Sequence, residues 1–325
     1  MAADNSAARF SVVIVNYNGS ALLADCVQSV LHENVPAARV IVVDNGSRDD
    51  SVLRLEHAAS GVKVIRNSCN AGFARAVNQG LAQASGDFIL LLNNDAQLQP
   101  GALRAFAEVF DQIPKLVIAG SQLRHSDGRL QNAVAPLPTL AAEIIPRALL
   151  QWIFPRRFRG KSDASAPIAV ESVIGACLCV RRSALEKLGP MDEDYFFFME
   201  ETDWCRRAYQ LGFQVYYVPA AQAVHAQGHT ANRFRSDARI EFQRSKLIYF
   251  KKNRSHPVYF LVSVLLPAKA LINALANSLA CIFTLFAVKN LRIKSRGYWR
   301  IAVWHVFGRP ASWGLPDKCA PEKKT

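Results

Sequence analysis

Short apolar runs alternate with helically spaced stretches over the first hundred residues, and each run stops at a polar cluster. Phe10-Ser11-Val12-Val13-Ile14-Val15 is rich in β-branched residues and ends at Asn16-Tyr17-Asn18-Gly19. Leu22, Leu23, Cys26, Val27, Val30 and Leu31 then recur at helical spacing, with Ser20 as the N-cap candidate. Val40–Val43 predicts a second strand, stopping at Asp44-Asn45-Gly46-Ser47, and a helix over 50–59 follows. Val62–Ile65 predicts a third strand ending at Arg66-Asn67, and Asn70-Ala71-Gly72-Phe73 opens a helix over 74–84. The run Phe88-Ile89-Leu90-Leu91-Leu92 reads as a strand buried on both faces, and it ends in Asn93-Asn94-Asp95. Four strand–helix alternations predict an α/β fold: a doubly wound, mostly parallel sheet with right-handed crossovers and helices on both faces.

Further along, the pattern predicts a helix over 103–110, a strand over 117–120 and an irregular excursion over 124–166. That excursion, with its basic run Arg156-Arg157-Phe158-Arg159, fits either a solvated insertion or an acceptor-side loop. A strand over 170–180 carries Gly175-Ala176 at its centre, where a glycine marks close approach of a ligand or tight core packing. The aromatic run Tyr195–Phe198 leads into Glu200-Glu201-Thr202-Asp203 and a helix over 202–211. A strand over 213–219 and a basic helix over 239–250 complete this region.

Each polar strand end taken singly is a turn. A parallel sheet brings Asn16 and Asn18, Asp44 and Asn45, Asn67 and Asn70, and Asn93, Asn94 and Asp95 to one edge, where they form a concave polar site. Asp44 suits a base or ribose; Gly72 leaves helix-start N–H groups open to an anion, and Arg75 one turn later can clamp a phosphate. Asp95 beside a buried strand requires a cation, an arginine or solvent, and one carboxylate with substrate phosphates suits Mg2+ or Mn2+. The set describes a nucleotide diphosphate. Three acids in four residues beside an aromatic wall push a carboxylate pKa upward, as a general base requires, although acids also favour a helix N-terminus.

Val12–Gly19, Val42–Ser47, Asn70–Gly80 and Leu91–Asp95, in this order and spacing, resemble the successive motifs of inverting family 2 glycosyltransferases with the GT-A fold. Asn70, Gly72, Phe73, Ala74, Arg75 and Asn78 resemble the pattern of the bacterial rhamnosyltransferase-like branch. The resemblance spans about 10–250. It implies a nucleotide-sugar site at Asn16, Asn18, Asp44, Asn70, Gly72, Arg75, Asn78, Asn93 and Asn94, with Asp95 as the metal carboxylate. Asn93 replaces the first acid of the family's Asp-x-Asp, and the resemblance places His225 where a histidine supplies the missing ligand. His229 and Thr230 are close enough to assist at the phosphates. Glu201 corresponds to the catalytic base, one methylene longer than the usual Asp. Glu200 and Asp203 would hold acceptor hydroxyls or orient Glu201, and Gly175 would line the donor sugar or acceptor. The implied reaction moves a sugar such as L-rhamnose from dTDP-rhamnose to a hydroxyl of a glycan or polyprenyl-diphosphate-linked glycan in cell-surface polysaccharide synthesis. A membrane-tethered sugar-nucleotide binder without turnover is the alternative. A nucleotidyltransferase lacks support, because no Gly-rich, Lys-containing loop follows the first strand.

Charge changes the picture in the last third. The net charge is +13, and residues 233–325 hold 18 Lys/Arg against 4 Asp/Glu. Val258–Ala268 and Ala270–Val288 are apolar runs split by Pro267 and Lys269, and Asn273, Asn277, Cys281 and Thr284 form one polar stripe. Lys251, Lys252 and Arg254 precede them and Lys289, Arg292, Lys294 and Arg296 follow. Cations on both sides favour a re-entrant or interfacial hairpin at the cytoplasmic face of a bacterial inner membrane over a single crossing. A soluble helical cap is the other reading, and nucleic acid is excluded by the lack of interleaved aromatics. The expected domains are a loose 1–9 without a secretory apolar run, a catalytic 10–250 and a membrane-associating 251–325. The seven scattered cysteines are read as reduced thiols of a cytosolic protein.

Overall fold

The computed structural model of the chain describes residues 5–158, 164–226 and 235–319. β1 (Phe10–Asn16), α1 (Leu22–His32), β2 (Val40–Asp44), α2 (Ser51–Ala58), β3 (Lys63–Arg66), α3 (Phe73–Leu81) and β4 (Phe88–Asn93) alternate as the hydrophobic pattern predicts. β5 (Ala96–Leu98), α4 (Ala102–Gln112) and β6 (Leu116–Arg124) follow. The excursion carries β7 (Val134–Ala135), α5 (Leu140–Ile144), α6 (Arg147–Ile153) and α7 (Pro155–Phe158). Then come β8 (Ile168–Ala169), β9 (Ser172–Val173), β10 (Cys177–Arg181), α8 (Leu185–Leu188), α9 (Glu200–Gln210) and β11 (Gln214–His225). Three helices end the described chain: α10 (Arg235–Asn253), α11 (His256–Phe283) and α12 (Lys289–Val306).

The main sheet runs β3-β2-β1-β4-β10-β6-β11-β5, with β8 beside β11. Its first four strands are all parallel, as expected of crossover helices. Antiparallel pairing enters with β10, which lies between β4 and β6, so the sheet is mixed. β4 is buried on both faces as its composition requires: Phe88, Leu90 and Leu92 join the core under α1 and α4, while Ile89 and Leu91 join the core under α3 and α9.

Several expectations give way. Ser20 does not cap α1; Ala21 is the N-cap and makes no side-chain bond, while Ser20 sits at φ +48°. The strand over 170–180 is interrupted at Ile174–Ala176, which bend away between β9 and β10. Residues 5–9 form a short 3-10 helix, and Arg9 holds Asp111 with two bonds of 2.7 and 2.8 Å. α10 runs across the boundary expected at 250/251, and with α11 and α12 it packs Ile240, Phe250, Val262, Leu266 and Trp304 against Tyr195 and Met199. The two apolar runs form one helix, because Pro267 does not break α11. Proline lacks the N–H that would serve the carbonyl four residues back, and Arg309 serves it instead: its Nη2 donates to Ser263 O at 2.8 Å. Not all cysteines are free thiols. Cys69 and Cys319 are joined by a disulfide across 250 positions, a pairing created by tertiary contact of the C-terminal segment. The five others are buried, and burial pushes the Cys177 and Cys205 thiols up to about 12. Arg159, His229 and Thr230 lie outside the described residues.

Gly80 on α3 faces Val13 of β1, and an added Cβ would lie 2.3 Å from Val13 Cγ1. Helix propensity favours alanine there by about 1 kcal/mol. Overpacking costs about 1–3 kcal/mol and prevails, so Gly80→Ala lowers stability in urea melts.

Candidate active site

The ends of β1, β2 and β4 are tied by one chain of side-chain hydrogen bonds. Asn94 Nδ2 donates to Asn16 Oδ1 at 2.9 Å, and Asn16 Nδ2 donates to Asp44 Oδ1 at 2.9 Å. Asp44 is buried and also accepts from the Ser47 amide. Asn18 Oδ1 accepts from the Arg48 amide. Asn45, at the end of β2 beside Asp44, accepts from Asn67 Nδ2 and the Ala71 amide and donates to Asn70. These bonds hold four strand ends as one rigid edge.

Above that edge lies a cavity of about 340 Å3. Asn70, Asn93, Asn94, Asp95, Gly175, Glu200, Glu201 and His225 all line it, so residues 155 positions apart in sequence converge. Register explains how Asp95 and His225 meet. β11 runs antiparallel to β5 with His225 opposite Ala96, and this places His225 Nε2 3.2 Å from Asp95 Oδ1. Gln131, which no sequence signal marked, holds the histidine. Its Nε2 donates to the backbone carbonyls of Arg124 and His225, which leaves Oε1 to accept from His225 Nδ1 at 3.0 Å. With the hydrogen on Nδ1, Nε2 presents a lone pair to a carboxylate oxygen. Two acceptors at that distance need a proton or a cation between them. Asp95 and His225 therefore fit a divalent ion bound by two protein ligands and completed by substrate oxygens.

Facing them is the first turn of α9. Burial pushes the Glu200 carboxyl well above the ordinary carboxylate range, and the Glu201 charge adds to that shift. Burial raises Glu201 as well, while backbone N–H groups that include Thr202 and Gly175 hold it down. Oε2 of each has no hydrogen-bond partner among the described residues. Phe198 and Met199, immediately before α9, both sit at φ +72°. The chain is wound into this turn against its ordinary preference and is held there by the core formed with the C-terminal helices. Phe196, Phe197 and Phe198 form the cavity's aromatic wall.

Seven expected site residues do not line the cavity: Asn16, Asn18 and Asp44 belong to the strand-end edge beneath it, and Gly72, Arg75, Asn78 and Asp203 are engaged elsewhere. Arg75 pairs with Glu193 at 3.0 Å, and Asn78 bonds Glu193 and the Met191 backbone, so both fasten α3 to the segment before α9. Two of the amides at the start of α3 are engaged: Gly72 N donates to Asn70 Oδ1 and Phe73 N to Phe196 O. Gly72, at φ +91°, instead lets Phe196 approach, since an added Cβ would lie 2.9 Å from its ring. Asp203 is buried away from the cavity, where it receives Arg207, Tyr195 and Asn253.

With this geometry in view, known proteins become informative. The family model for glycosyl transferase family 2 matches residues 11–189. The chain belongs to that family. It is thus a glycosyltransferase, and its fold is shared with solved enzymes of the GT-A class. An N-acetylglucosaminyl-diphospho-decaprenol L-rhamnosyltransferase of Mycobacterium tuberculosis is 26% identical over 260 residues, covering 75% of this chain and 84% of that one. A low-salt glycan biosynthesis hexosyltransferase of Haloferax volcanii is 24% identical, covering 79% and 81%. Among solved structures, a mannosyltransferase of Pyrobaculum calidifontis in complex with GDP-Man and Mn2+ superposes with a TM-score of 0.55 at 17% identity, covering 93% and 88%. GalNAc-T7 with UDP, GalNAc and Mn2+ gives a TM-score of 0.50 at 18% identity, covering 66% and 43%.

The Glu200–Glu201 pair in this glycosyltransferase gives a signed stability expectation. Both carboxyls are raised in the folded state, so the stability they allow is complete below the ordinary carboxylate range and is lost as pH rises through the folded values. Glu200→Gln should raise Tm by a few degrees at neutral pH, and the difference from the parent should vanish below about pH 4. Calorimetric melts across pH check this.

Proposed function

We infer that the protein is an inverting hexosyltransferase, moving L-rhamnose from dTDP-L-rhamnose to a hydroxyl of a polyprenyl-diphosphate-linked glycan. The observation that carries this reading is the convergence of Glu201 with the Asp95–His225 pair on one cavity. The similarity to a rhamnosyltransferase whose name states a diphospho-decaprenol substrate supports the donor and the lipid-linked acceptor.

In this reading the nucleoside lies along the strand-end edge of Asn16, Asn18, Asp44 and Asn70, with Asn93 and Asn94 beneath the diphosphate. Asp95 and His225 would hold a divalent ion, Mg2+ or Mn2+, which would supply Lewis-acid stabilisation of the charge on the leaving diphosphate. Arg75 serves the site at second hand, since its guanidinium is paired with Glu193. Glu201 accepts the proton of the acceptor hydroxyl as its oxygen bonds to the anomeric carbon and the bond to the nucleotide diphosphate breaks. Its raised pKa suits a base that works near neutral pH. A covalent glycosyl intermediate would need a second, ionised carboxylate as nucleophile. Of the other acids lining the cavity, Asp95 is the one this reading gives to the ion, and burial beside Glu201 pushes the Glu200 carboxyl well above the ordinary carboxylate range, against the ionised form. A single displacement, hence inversion, follows.

The partner on the other side is a bilayer with anionic headgroups. α11 spans 28 residues; its most apolar 18-residue stretch has mean hydropathy 1.8, and 22% of that stretch is buried. Val262, Leu266, Ala270 and Ala274 face the protein, while Phe260, Val264, Leu271, Leu275, Leu279 and Ile282 form an exposed stripe at spacings of three, four and seven. A helix apolar on both faces with one face bare fits lipid better than water. Lys269 reaches the Glu143 carbonyl and Lys246 pairs with Glu143, so α5 docks beside α11, and Trp152, Ile153 and Phe154 of the same excursion are exposed. Residues 242–316 contain 12 Lys/Arg and no Asp or Glu, which complements an anionic surface and opposes pairing with a second, equally basic copy.

Glu201→Gln should leave the dissociation constant for dTDP-rhamnose unchanged and reduce kcat by roughly 10²–10⁴-fold; transfer at the parental rate would remove Glu201 from the chemistry, and no transfer by the parent with any lipid-linked acceptor would favour the non-catalytic binder. For the membrane, the parent should float with phosphatidylglycerol vesicles and less with phosphatidylcholine alone, and the double change Leu271→Glu, Leu275→Glu should abolish flotation. A parent that stays monodisperse without detergent and ignores anionic vesicles is a soluble protein with a helical cap.

A further inference from the structure

The C-terminal segment after α12 turns back across the molecule and becomes part of the cavity. Leu315 lines it. Asp317 Oδ2 accepts from the hydroxyl of Tyr17, itself a cavity residue, at 2.6 Å, and Asp317 Oδ1 pairs with Arg48 at 3.0 Å. Asn70 is bound in both directions: its amide donates to Asp317 O at 3.0 Å and its carbonyl accepts from the Cys319 amide at 3.0 Å. Lys318 lies over the ring of Phe196, 4.7 Å from its centroid. The segment therefore touches the loop after β1, the loop after β2, the loop after β3 and the aromatic wall. At its other end it is fixed to α10, where Arg244 donates to Trp313 O at 2.6 Å and fully buried Glu241 accepts from the Leu315 amide and Lys318.

The segment meets the strand-end edge that the preceding reading gives to the donor's nucleoside: it shares Asn70 with that reading and engages Tyr17 and Arg48 in the loops that follow β1 and β2. Tyr17 and Arg48 offer donors to an oxygen acceptor, and Asp317 supplies one. The Cys69–Cys319 bond closes the arrangement a single residue from Asn70 on one strand of the contact and at the end of the segment on the other. We propose that residues 313–319 are an internal competitor for the nucleotide end of the cavity, and that the Cys69–Cys319 disulfide is the latch that keeps it seated. The proposal rests on the donor reading of this cavity and adds its regulation.

The physical basis is effective concentration. A segment held covalently beside its site competes intramolecularly, at a concentration that free nucleotide does not match. Opening is thiol–disulfide exchange with a dithiol reductant: one reductant thiolate attacks a latch sulfur and releases the other cysteine as thiolate, and the second reductant thiol then displaces the remaining one. Two electrons and two protons pass to Cys69 and Cys319, and the reductant leaves as its own disulfide. The five other cysteines are buried and take no part. Once the bond is open, the segment is held only by noncovalent contacts, of which the Arg48–Asp317 pair is largely exposed and weak.

The test is calorimetric titration of the full-length chain with dTDP and Mn2+, in the oxidised form and after dithiothreitol, with alkylation and mass spectrometry reporting the bond. Reduction should tighten dTDP binding by roughly tenfold or more, and Cys319→Ser should bind tightly in either condition. Asp317→Asn in the oxidised form should recover part of the gain, which separates release of the competitor from any general effect of reduction on folding. Equal binding by oxidised and reduced protein, or weaker binding after reduction, overturns the latch while leaving the donor reading intact. Complete alkylation of Cys69 and Cys319 in oxidised protein overturns it too. Absence of binding to dTDP, UDP and GDP in both forms overturns the donor reading and the latch together.

Discussion

Two hydrogen-bond acceptors face each other at 3.2 Å, Asp95 Oδ1 and His225 Nε2, and the rest of the site is built to keep them there. Left alone they would part, or a proton would settle between them. The antiparallel register of β11 on β5 fixes their backbones, and Gln131 fixes the imidazole from behind by holding both its ring and its carbonyl. Such a pair binds positive charge by construction. Across the cavity the logic is reversed: two glutamates on one helical turn share a dry pocket, which tolerates one charge and disfavours two. A substrate with an anionic diphosphate at one end and a neutral hydroxyl to deprotonate at the other matches this polarity from end to end.

How much of this was legible in the sequence follows from what kind of information each feature needs. The order β1-α1-β2-α2-β3-α3-β4 is written in local periodicity, and parallel pairing then gathers Asn16, Asp44, Asn70 and Asp95 at one edge with no further input. Arg75 shows the limit. One turn past Gly72 it had the position of a phosphate clamp, yet Glu193, far along the chain, pairs with it. Asp203 likewise belongs to an acidic run but is taken up by Arg207 and Asn253. Spacing along a helix says which way a side chain leaves the backbone, not which partner reaches it. Gln131 and Leu315 carried no local signal, because their roles exist only after the excursion and the C-terminal segment have folded onto the sheet.

The C-terminal helices are bound to the catalytic machinery more closely than a tail would be. They complete the core that includes Tyr195 and Met199, and Asn253 at the end of α10 bonds both Arg206 and Asp203 on α9. The two positive-φ residues that aim Glu200 and Glu201 into the cavity thus lean on the helices whose other side is bare and apolar. Pro267 makes the same point from within α11. The carbonyl it orphans would be costly facing hydrocarbon, and Arg309, from the segment that goes on to line the cavity, satisfies it. Exposed apolar face, helix integrity and site wall are consecutive parts of one piece of chain.

Gly175 separates a requirement of the fold from a requirement of the site. At Gly80 and Gly120 an added Cβ would stand 2.3 and 2.5 Å from valine side chains, so glycine is demanded by packing. At Gly175 the nearest atoms to an added Cβ belong to Glu201, at 3.6 to 3.8 Å, which is ordinary contact, and the backbone there is not in the left-handed region. The core would accept a side chain at this position. What that side chain would occupy is the space beside the Glu201 carboxyl, and its amide already helps hold that carboxyl's pKa down. A glycine that the packing does not need, placed against a buried acid on the cavity wall, leaves open a space that the stability of the sheet does not require.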